Sequence, residues 1–478
     1  MAAGCRTRRL NLVLLAFLIR RLSVVALASL AAAAGVAVVR APTAQAADYV
    51  PGQVVVAYKS GPVASVARNF ATKMGVRAAA TAAPSVRVMR LPRGMTVPRA
   101  LTKLRSQPGV AYAVPNYLAH AAGSFIPNDP GRAHRRGGWQ SMQWNFLPTV
   151  GVNAPEAWAN LRADRHPGGR GVVVAILDTG IAYRNWQKFK ESPDLKGTRF
   201  VRPHDFVSNN RYPLDQNGHG TFVASTIAEA TNNGFGLTGL AYGASIMPVR
   251  ILDSSGLGDA ATISRGIRYA ADQGAKVINL SLEFDFGVTS SDIPDIIGAI
   301  EYAHRHGAVV VAAAGNEGAT QLAYPAADPV SISVGATTRD RCLADYSNGG
   351  DKLDLVAPGG GNDAYIPSDP DCHPSSAQNL PSINQLTLVD APHSWSRFGY
   401  PASIYGTSMA APHVAAAAAL VIASGVIGRR PTPAQVLKRL EESAQPLGGS
   451  KPNSTYGWGL LNAGAATAPL GSAAGRQR

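Results

Sequence analysis

Cysteine is scarce in this chain of 478 residues: Cys5, Cys342 and Cys372 are all there are. That excludes a small fold stapled by disulfides. Cys5 lies in an N-terminal stretch that reads as removable, which leaves Cys342 and Cys372 as a single pair. In an exported protein such a pair is expected to be oxidised, and in a reducing compartment to remain two thiols. Aromatic residues are few, at 7%. Acidic residues number 30 against 45 Lys and Arg, so the net charge is +15. That excess raises the question of nucleic-acid binding. The arginines are dispersed, however, no Lys/Arg run exceeds three, and no RNA- or DNA-binding motif appears, so no nucleic-acid partner is expected. Internal repeats are also absent. Glycine (49) and proline (33) are plentiful, as is alanine, and 46% of residues are hydrophobic. This composition suits a large α/β core with tight turns, in a chain long enough for two or three domains.

The N-terminus sets Arg6, Arg8 and Arg9 before an apolar run over 10–19. Arg20 and Arg21 interrupt it, an Ala-rich run over 22–39 follows, and Ala44-Gln45-Ala46 supplies small residues of the kind a signal peptidase reads. Residues 1–46 therefore read as an export signal, which implies a secreted, extracellular product. The second run is just long enough to span a bilayer as a retained anchor. The small residues that follow it favour removal, and no stable membrane anchor is expected. From residue 48 to about 120 the pattern shortens: strands over 54–59, 86–91 and 110–114 alternate with helices over 63–74 and 98–106. This is a small α+β unit, joined to the rest by a Gly-, Ala- and Arg-rich linker over 119–138. A permanent accessory domain is the alternative to a removable one, and the linker's cleavable composition favours removal.

Further on, apolar runs over 172–178, 245–252, 276–282, 308–315, 330–337 and 353–356 are separated mostly by helical segments, among them 259–272 and 293–304. Runs that are continuously apolar mean strands buried on both faces, hence α/β architecture: a parallel sheet with helices on both faces. Thr432-Pro433-Ala434-Gln435 has the make-up of a helix start with a capping box. The tail over 471–478 is small and polar and is expected to be disordered.

Four stretches carry chemistry. Ala175-Ile176-Leu177-Asp178-Thr179-Gly180-Ile181 ends an apolar strand on an acid, at the carboxyl end of a sheet where ligands gather in open α/β folds. Asn217-Gly218-His219-Gly220-Thr221-Phe222-Val223-Ala224 sets a histidine between glycines, which leave its imidazole room for two partners. Ala313-Ala314-Gly315-Asn316 places an amide just past another strand. Tyr405-Gly406-Thr407-Ser408-Met409-Ala410-Ala411-Pro412-His413 runs a serine into an Ala-rich helix, whose free N–H groups and positive end would face the hydroxyl. Pro412 is expected within the first turn of that helix. Taken alone, this last stretch is equally an Ala-rich core helix with a serine cap. Metal binding at His219 lacks a partner at ligand spacing. The single Asp-Thr-Gly excludes the paired acids of an aspartic peptidase. An esterase elbow, Gly-x-Ser-x-Gly with its acid and His following the Ser, would need Gly where Ala410 stands, and here the acid and His come first.

In this order and context the four stretches closely resemble the subtilisin-like serine peptidases, from about residue 140 to 467. The resemblance implies a peptidase domain over 123–470 that acts on proteins and peptides as a monomer. Ser408 would be the nucleophile, His219 the general base, Asp178 its orienting acid and Asn316 the oxyanion donor. It also implies that residues 47–122 are an inhibitory propeptide of ferredoxin-like fold, the enzyme's own intramolecular inhibitor. Ser281, Leu282 and Glu283 match the strand that pairs with bound peptide. Ala313, Ala314 and Gly315 with Ala323 match the first specificity pocket. The family usually has Gly where Glu283 stands. Asp129, Asp194 and Asn233, with carbonyls of Thr231, Phe235 and Leu237, fall where family members hold a structural Ca2+. The stretch between Pro358 and Tyr405 is far longer than in compact members.

Overall fold

The structure, a computed structural model, describes residues 49–470 apart from 61, 76, 84, 118–124, 164–165 and 375–380. The expected export signal over 1–46, the first part of the expected 119–138 linker (119–124) and the tail over 471–478 lie outside the described residues; the rest of that linker is ordered, with 3-10 turns at Gly131–Ala133 and Gly138–Ser141 and a buried Asp129. The chain divides into two units, residues 1–120 and 121–478.

In the first unit, strands β1 (Tyr49–Tyr58), β2 (Arg77–Ala83), β3 (Val86–Arg90) and β4 (Val110–Tyr117) form an antiparallel sheet in the order β2-β3-β1-β4. Helix α1 (Pro62–Lys73) follows β1 and α2 (Val97–Arg105) follows β3, giving the βαββαβ succession of a ferredoxin-like fold. Val54, Val56 and Met89 from the sheet pack with Ala100, Leu101 and Leu104 of α2. The strand β2 is not anticipated by the sequence. Five of its seven residues are alanine, a poor strand former, and it forms because β3 offers an open edge.

The second unit is built on a parallel sheet of β5 (Val173–Asp178), β6 (Arg199–Phe200), β8 (Ser245–Arg250), β9 (Val277–Leu280), β10 (Val309–Ala313), β11 (Ser331–Thr337) and β12 (Leu355–Pro358), in the order β12-β11-β10-β9-β5-β8-β6, with β7 (His204–Asp205) beside β8. Strand β5 shows why both faces are apolar. Val174 and Ile176 enter one core layer, and Ala175 and Leu177 enter the other. The first layer also takes in α3 (Ala154–Ala163), α4 (His219–Ala228) and α7 (Thr407–Ser424); the second takes in α5 (Ala260–Asp272) and α6 (Pro294–Arg305). Helix α7 is buried continuously over 409–421, which its alanines permit by letting neighbouring backbones come close. Helix α8 (Pro433–Ser443) opens on the expected capping box of Thr432 and Gln435, and α9 (Ala463–Thr467) ends the described chain.

Three expectations need correcting. Strand β9 stops at Leu280, so Ser281, Leu282 and Glu283 lie in the irregular segment beyond it. Strand β10 stops at Ala313, so Asn316 is carried by the turn after it. Helix α7 begins at Thr407, which puts Pro412 inside the helix and not in its first turn.

The long stretch after Pro358 lies partly against α4. Its β13 (Thr387–Leu388) pairs with β14 (Phe398–Gly399), and Ile383 is buried with Trp144, Phe222 and Met409. The Ser225 hydroxyl donates to the Leu386 carbonyl at 2.9 Å, and the Thr387 hydroxyl donates to the Gly218 carbonyl. A disulfide joins Cys342 to Cys372.

Candidate active site

Asp178 is the last residue of β5 and fully buried; His219 is the first residue of α4. Their contact is close, 2.8 Å between Asp178 Oδ1 and His219 Nδ1. Gly220 makes it possible, since a Cβ there would stand 2.2 Å from the Gly180 carbonyl and 3.1 Å from Asp178 Oδ1. Gly218, at φ +109°, turns the chain into the helix. Burial pulls the imidazole down, but the Asp178 charge and hydrogen bond, helped by Asp215, outweigh it and hold His219 above its ordinary value. Since Nδ1 faces a carboxylate, it carries the proton, and Nε2 is left as the acceptor.

Asp215 is a residue of this site that the sequence reading missed. It is buried and accepts from the Thr179 hydroxyl (2.9 Å), from the N–H groups of Asn217 (2.9 Å), Gly218 (2.9 Å) and Thr221 (3.0 Å), and from the Thr221 hydroxyl. Burial pushes its carboxyl up, against the pull of those bonds. They pin the turn that presents His219. An acid a few residues before Asn-Gly-His was the available signal, because a turn rich in free N–H groups needs an acceptor.

Ser408 is the second residue of α7 and opens, with His219, on a cleft of about 590 Å3 lined also by Leu252, Gly256, Leu257 and residues 281–285. Its hydroxyl donates to the Ser281 carbonyl at 3.2 Å. The Asn316 side chain is held at both ends. Its Oδ1 accepts from the Thr407 N–H at 2.9 Å and the Thr407 hydroxyl at 3.1 Å, and its Nδ2 donates to Glu283 Oε1 at 3.0 Å. Glu283 therefore does not project from a pocket rim into solvent. Leu282 is buried in the second core layer. Ala313 and Ala314 also turn into cores, on different sides, so what they offer a ligand is backbone; the Ala323 N–H bonds the Ala314 carbonyl at 2.9 Å. Gly315, at φ +111°, leaves the turn open.

Of the residues expected at a Ca2+ site, four converge. Buried Asp129 accepts from the N–H groups of Asn232 (2.7 Å) and Asn233 (3.0 Å). Buried Asp194 accepts from Asn233 Nδ2 (2.9 Å) and the Leu237 N–H (2.8 Å). Thr231 turns its hydroxyl to the Glu229 carbonyl at 3.0 Å, and Phe235 gives its N–H to Asn233 Oδ1 at 2.7 Å. Glu229, unanticipated, is buried beside Asp194. Burial pushes Asp129 up to about 6 against its backbone hydrogen bonds. Burial, with the Asp129 charge adding to it and the Asn233 and Leu237 bonds opposing, pushes Asp194 up to about 7. Burial and the Asp194 charge raise Glu229 well above the usual range. These three crowded carboxyl groups belong to no ion pair among the described residues and offer only oxygen, the donor type a hard divalent cation prefers, while both oxygens of Asp129 and of Asp194 already accept hydrogen bonds from the chain. The described residues hold no group of three or more acid, His or Cys side chains poised as ligands, so backbone carbonyls would have to complete the shell.

A model of the subtilase family matches residues 169–459. The chain belongs to the subtilase family. A model of the fervidolysin N-terminal prodomain matches residues 31–116, starting inside the stretch read as an export signal. The thermophilic serine proteinase of Bacillus sp. (strain AK1) is 33% identical over 416 residues, covering 86% of this chain and 86% of that one. Thermitase of Thermoactinomyces vulgaris is 37% identical over 305 residues, covering 63% of this chain and 87% of that one. Among solved structures, a protease from Pseudoalteromonas arctica PAMC 21717 aligns with TM-score 0.56 and 28% identity over 72% of this chain and 99% of its own. This subtilase is thus a serine endopeptidase whose N-terminal unit matches a prodomain.

Proposed function

We propose that this subtilase hydrolyses peptide bonds through Asp178, His219 and Ser408, and that it is exported as a precursor that cuts its own linker. The observation that carries the reading is the 2.8 Å bond between Asp178 and His219 at the mouth of the cleft that Ser408 shares. With Nδ1–H held by Asp178, the Nε2 lone pair is free to take the Ser408 proton once the hydroxyl rotates away from the Ser281 carbonyl. The serine oxygen then attacks the scissile carbonyl. The imidazolium that forms is the state the Asp178 charge favours, and it returns its proton to the leaving amine. The oxyanion would lie between the Ser408 N–H at the start of α7 and the Asn316 amide. Loss of one such donor commonly costs on the order of 10² to 10³ in turnover.

The prodomain match supports an intramolecular inhibitor over 47–122, and the stretch over 1–46 supports export to the outside of the cell. Ca2+ held by Asp129, Asp194 and carbonyls near Asn233 would neutralise crowded acids and fix the 231–237 loop. The test is Ser408→Ala. The variant should lack peptidase activity and remain uncut between residues 119 and 125, as read by intact mass. A variant that acquires the wild-type N-terminus would show that another protease does the processing. A Ser408→Ala enzyme that still hydrolyses peptide at the wild-type rate would overturn the nucleophile itself.

A further inference from the structure

The amide assigned to the oxyanion is already engaged. Asn316 Nδ2 donates to Glu283 Oε1 at 3.0 Å while Thr407 fixes the other end of the group, so the amide plane is set before any substrate arrives. The contact arises because the irregular segment beyond β9 passes opposite the turn beyond β10. A Cβ on Gly315 would stand 2.9 Å from Glu283 Oε2 and 2.9 Å from Glu317 Oε2, so both carboxylates reach to the same spot. Glu317 receives the Asn348 amide. Glu283 Oε2 is buried with no hydrogen-bond partner among the described residues, and neither acid belongs to an ion pair there. Burial raises the Glu283 carboxyl, the Asn316 bond pulls it down, and the charges of Glu317 and Asp285 raise it further.

We infer that Glu283 is a positioning residue that restrains turnover: its carboxylate claims the oxyanion donor in the free enzyme and opposes, by its charge, the negative charge that the transition state places on the same amide. The inference rests on the reading of Asn316 as donor. Two effects of opposite sign compete. Fixing the amide plane helps, by the worth of roughly one hydrogen bond, or several-fold in rate. The charge hinders. Carboxylate and oxyanion would sit on two sides of one nitrogen, about 5 to 6 Å apart at ordinary hydrogen-bond lengths. Like charges at that distance under protein-like screening slow a step on the order of tenfold to a hundredfold. The hindrance is the larger effect, so Glu283 acts as a brake.

The experiment compares kcat and KM of matured enzyme, normalised by titration of reactive Ser408, for wild type, Glu283→Gln, Glu283→Gly, Asn316→Ala and Asn316→Ala with Glu283→Gln. Gln preserves the shape and an acceptor for the amide while removing the charge; Gly removes both. The expected result is a kcat about tenfold higher for Glu283→Gln with KM changed less than threefold, and a smaller gain when Asn316 is absent. A purely structural role for Glu283 can lower kcat or the melting temperature but does not raise kcat at constant KM. Unchanged or lower kcat in both Glu283 variants, with Asn316→Ala strongly impaired, overturns the brake and leaves the donor standing. An Asn316→Ala enzyme with wild-type kcat overturns the donor reading instead.

Discussion

Ser281 and Ser408 exchange hydrogen bonds: the Ser281 hydroxyl donates to the Ser408 carbonyl at 2.8 Å, and the Ser408 hydroxyl donates to the Ser281 carbonyl at 3.2 Å. The first of these bonds has its origin in Pro412. A proline four residues after Ser408 has no N–H to offer the Ser408 carbonyl, so the first turn of α7 is left with an orphan acceptor. The Ser281 hydroxyl supplies the missing donor and ties the segment beyond β9 to the serine-bearing turn.

Ser281→Ala should therefore strand a carbonyl and lower stability by about 1 to 2 kcal/mol. Adding Pro412→Ala restores an N–H to the helix ladder and should recover part of the loss. Denaturant melts of enzyme inactivated at Ser408 by a sulfonyl fluoride measure both. If Pro412→Ala has the same effect with and without Ser281, the two are not coupled.

His413 gives the fold a dependence on acid. It is fully buried, with Nδ1 2.9 Å from the Met409 carbonyl and Nε2 2.8 Å from Asn145 Nδ2, an arrangement that suits the neutral ring. Burial, opposed by the backbone hydrogen bonds, pulls it down to about 4. The folded value lies below the ordinary one of about 6.5, so the unfolded chain binds more protons, and stability falls as pH drops from about 6.5 toward 4 and levels off below. The loss attributable to this ring should reach roughly 3 kcal/mol. The slope of stability against pH over that window, compared between wild type and His413→Asn, measures it; equal slopes would exclude the ring as the source.

Excess EDTA should lower the melting temperature and speed self-digestion, and added Ca2+ should reverse both. A site occupied at a hundred times its dissociation constant contributes about 2.7 kcal/mol. Asp194→Asn should blunt the response. A melt indifferent to EDTA removes Ca2+ from the account of Asp129, Asp194 and Asn233.

Thiol titration of the unfolded, mature enzyme should find no free thiol, since Cys342 and Cys372 are joined. Reduction should cost at most ~3 to 4 kcal/mol for a loop of this length. Two titratable thiols would refute the bond.

Much of this was legible in order along the chain. Each strand of the second sheet except the short β6 and β7 announces itself as an apolar run, and the acid, histidine, amide and serine each sit where such a run ends or a helix begins. The reasons lie in local pattern. What stayed hidden depends on contacts between distant segments. Nothing near Glu283 says that its carboxylate will meet an amide 33 residues away, and β2 exists only because β3 leaves an edge to fill. Asp215 lay between the two. Its place before Asn-Gly-His was visible, but its five donors come from three separate parts of the turn region.

The long stretch after Pro358 is two structures in one. Its first part is moored by Cys372 and carries Tyr365, 91% exposed, while residues 382–388 are woven into α4 through Ile383, Leu386 and Thr387, the last reaching the carbonyl just before His219. Added length is therefore cheap in one half and disruptive in the other. A foreign peptide spliced in at Tyr365 would ride on the surface with the pairing of His219 and Asp178 undisturbed. The same peptide placed between Ile383 and Leu388 would pull the prop from under Gly218, and the enzyme would lose the histidine proposed as its base without losing a single residue of the proposed triad.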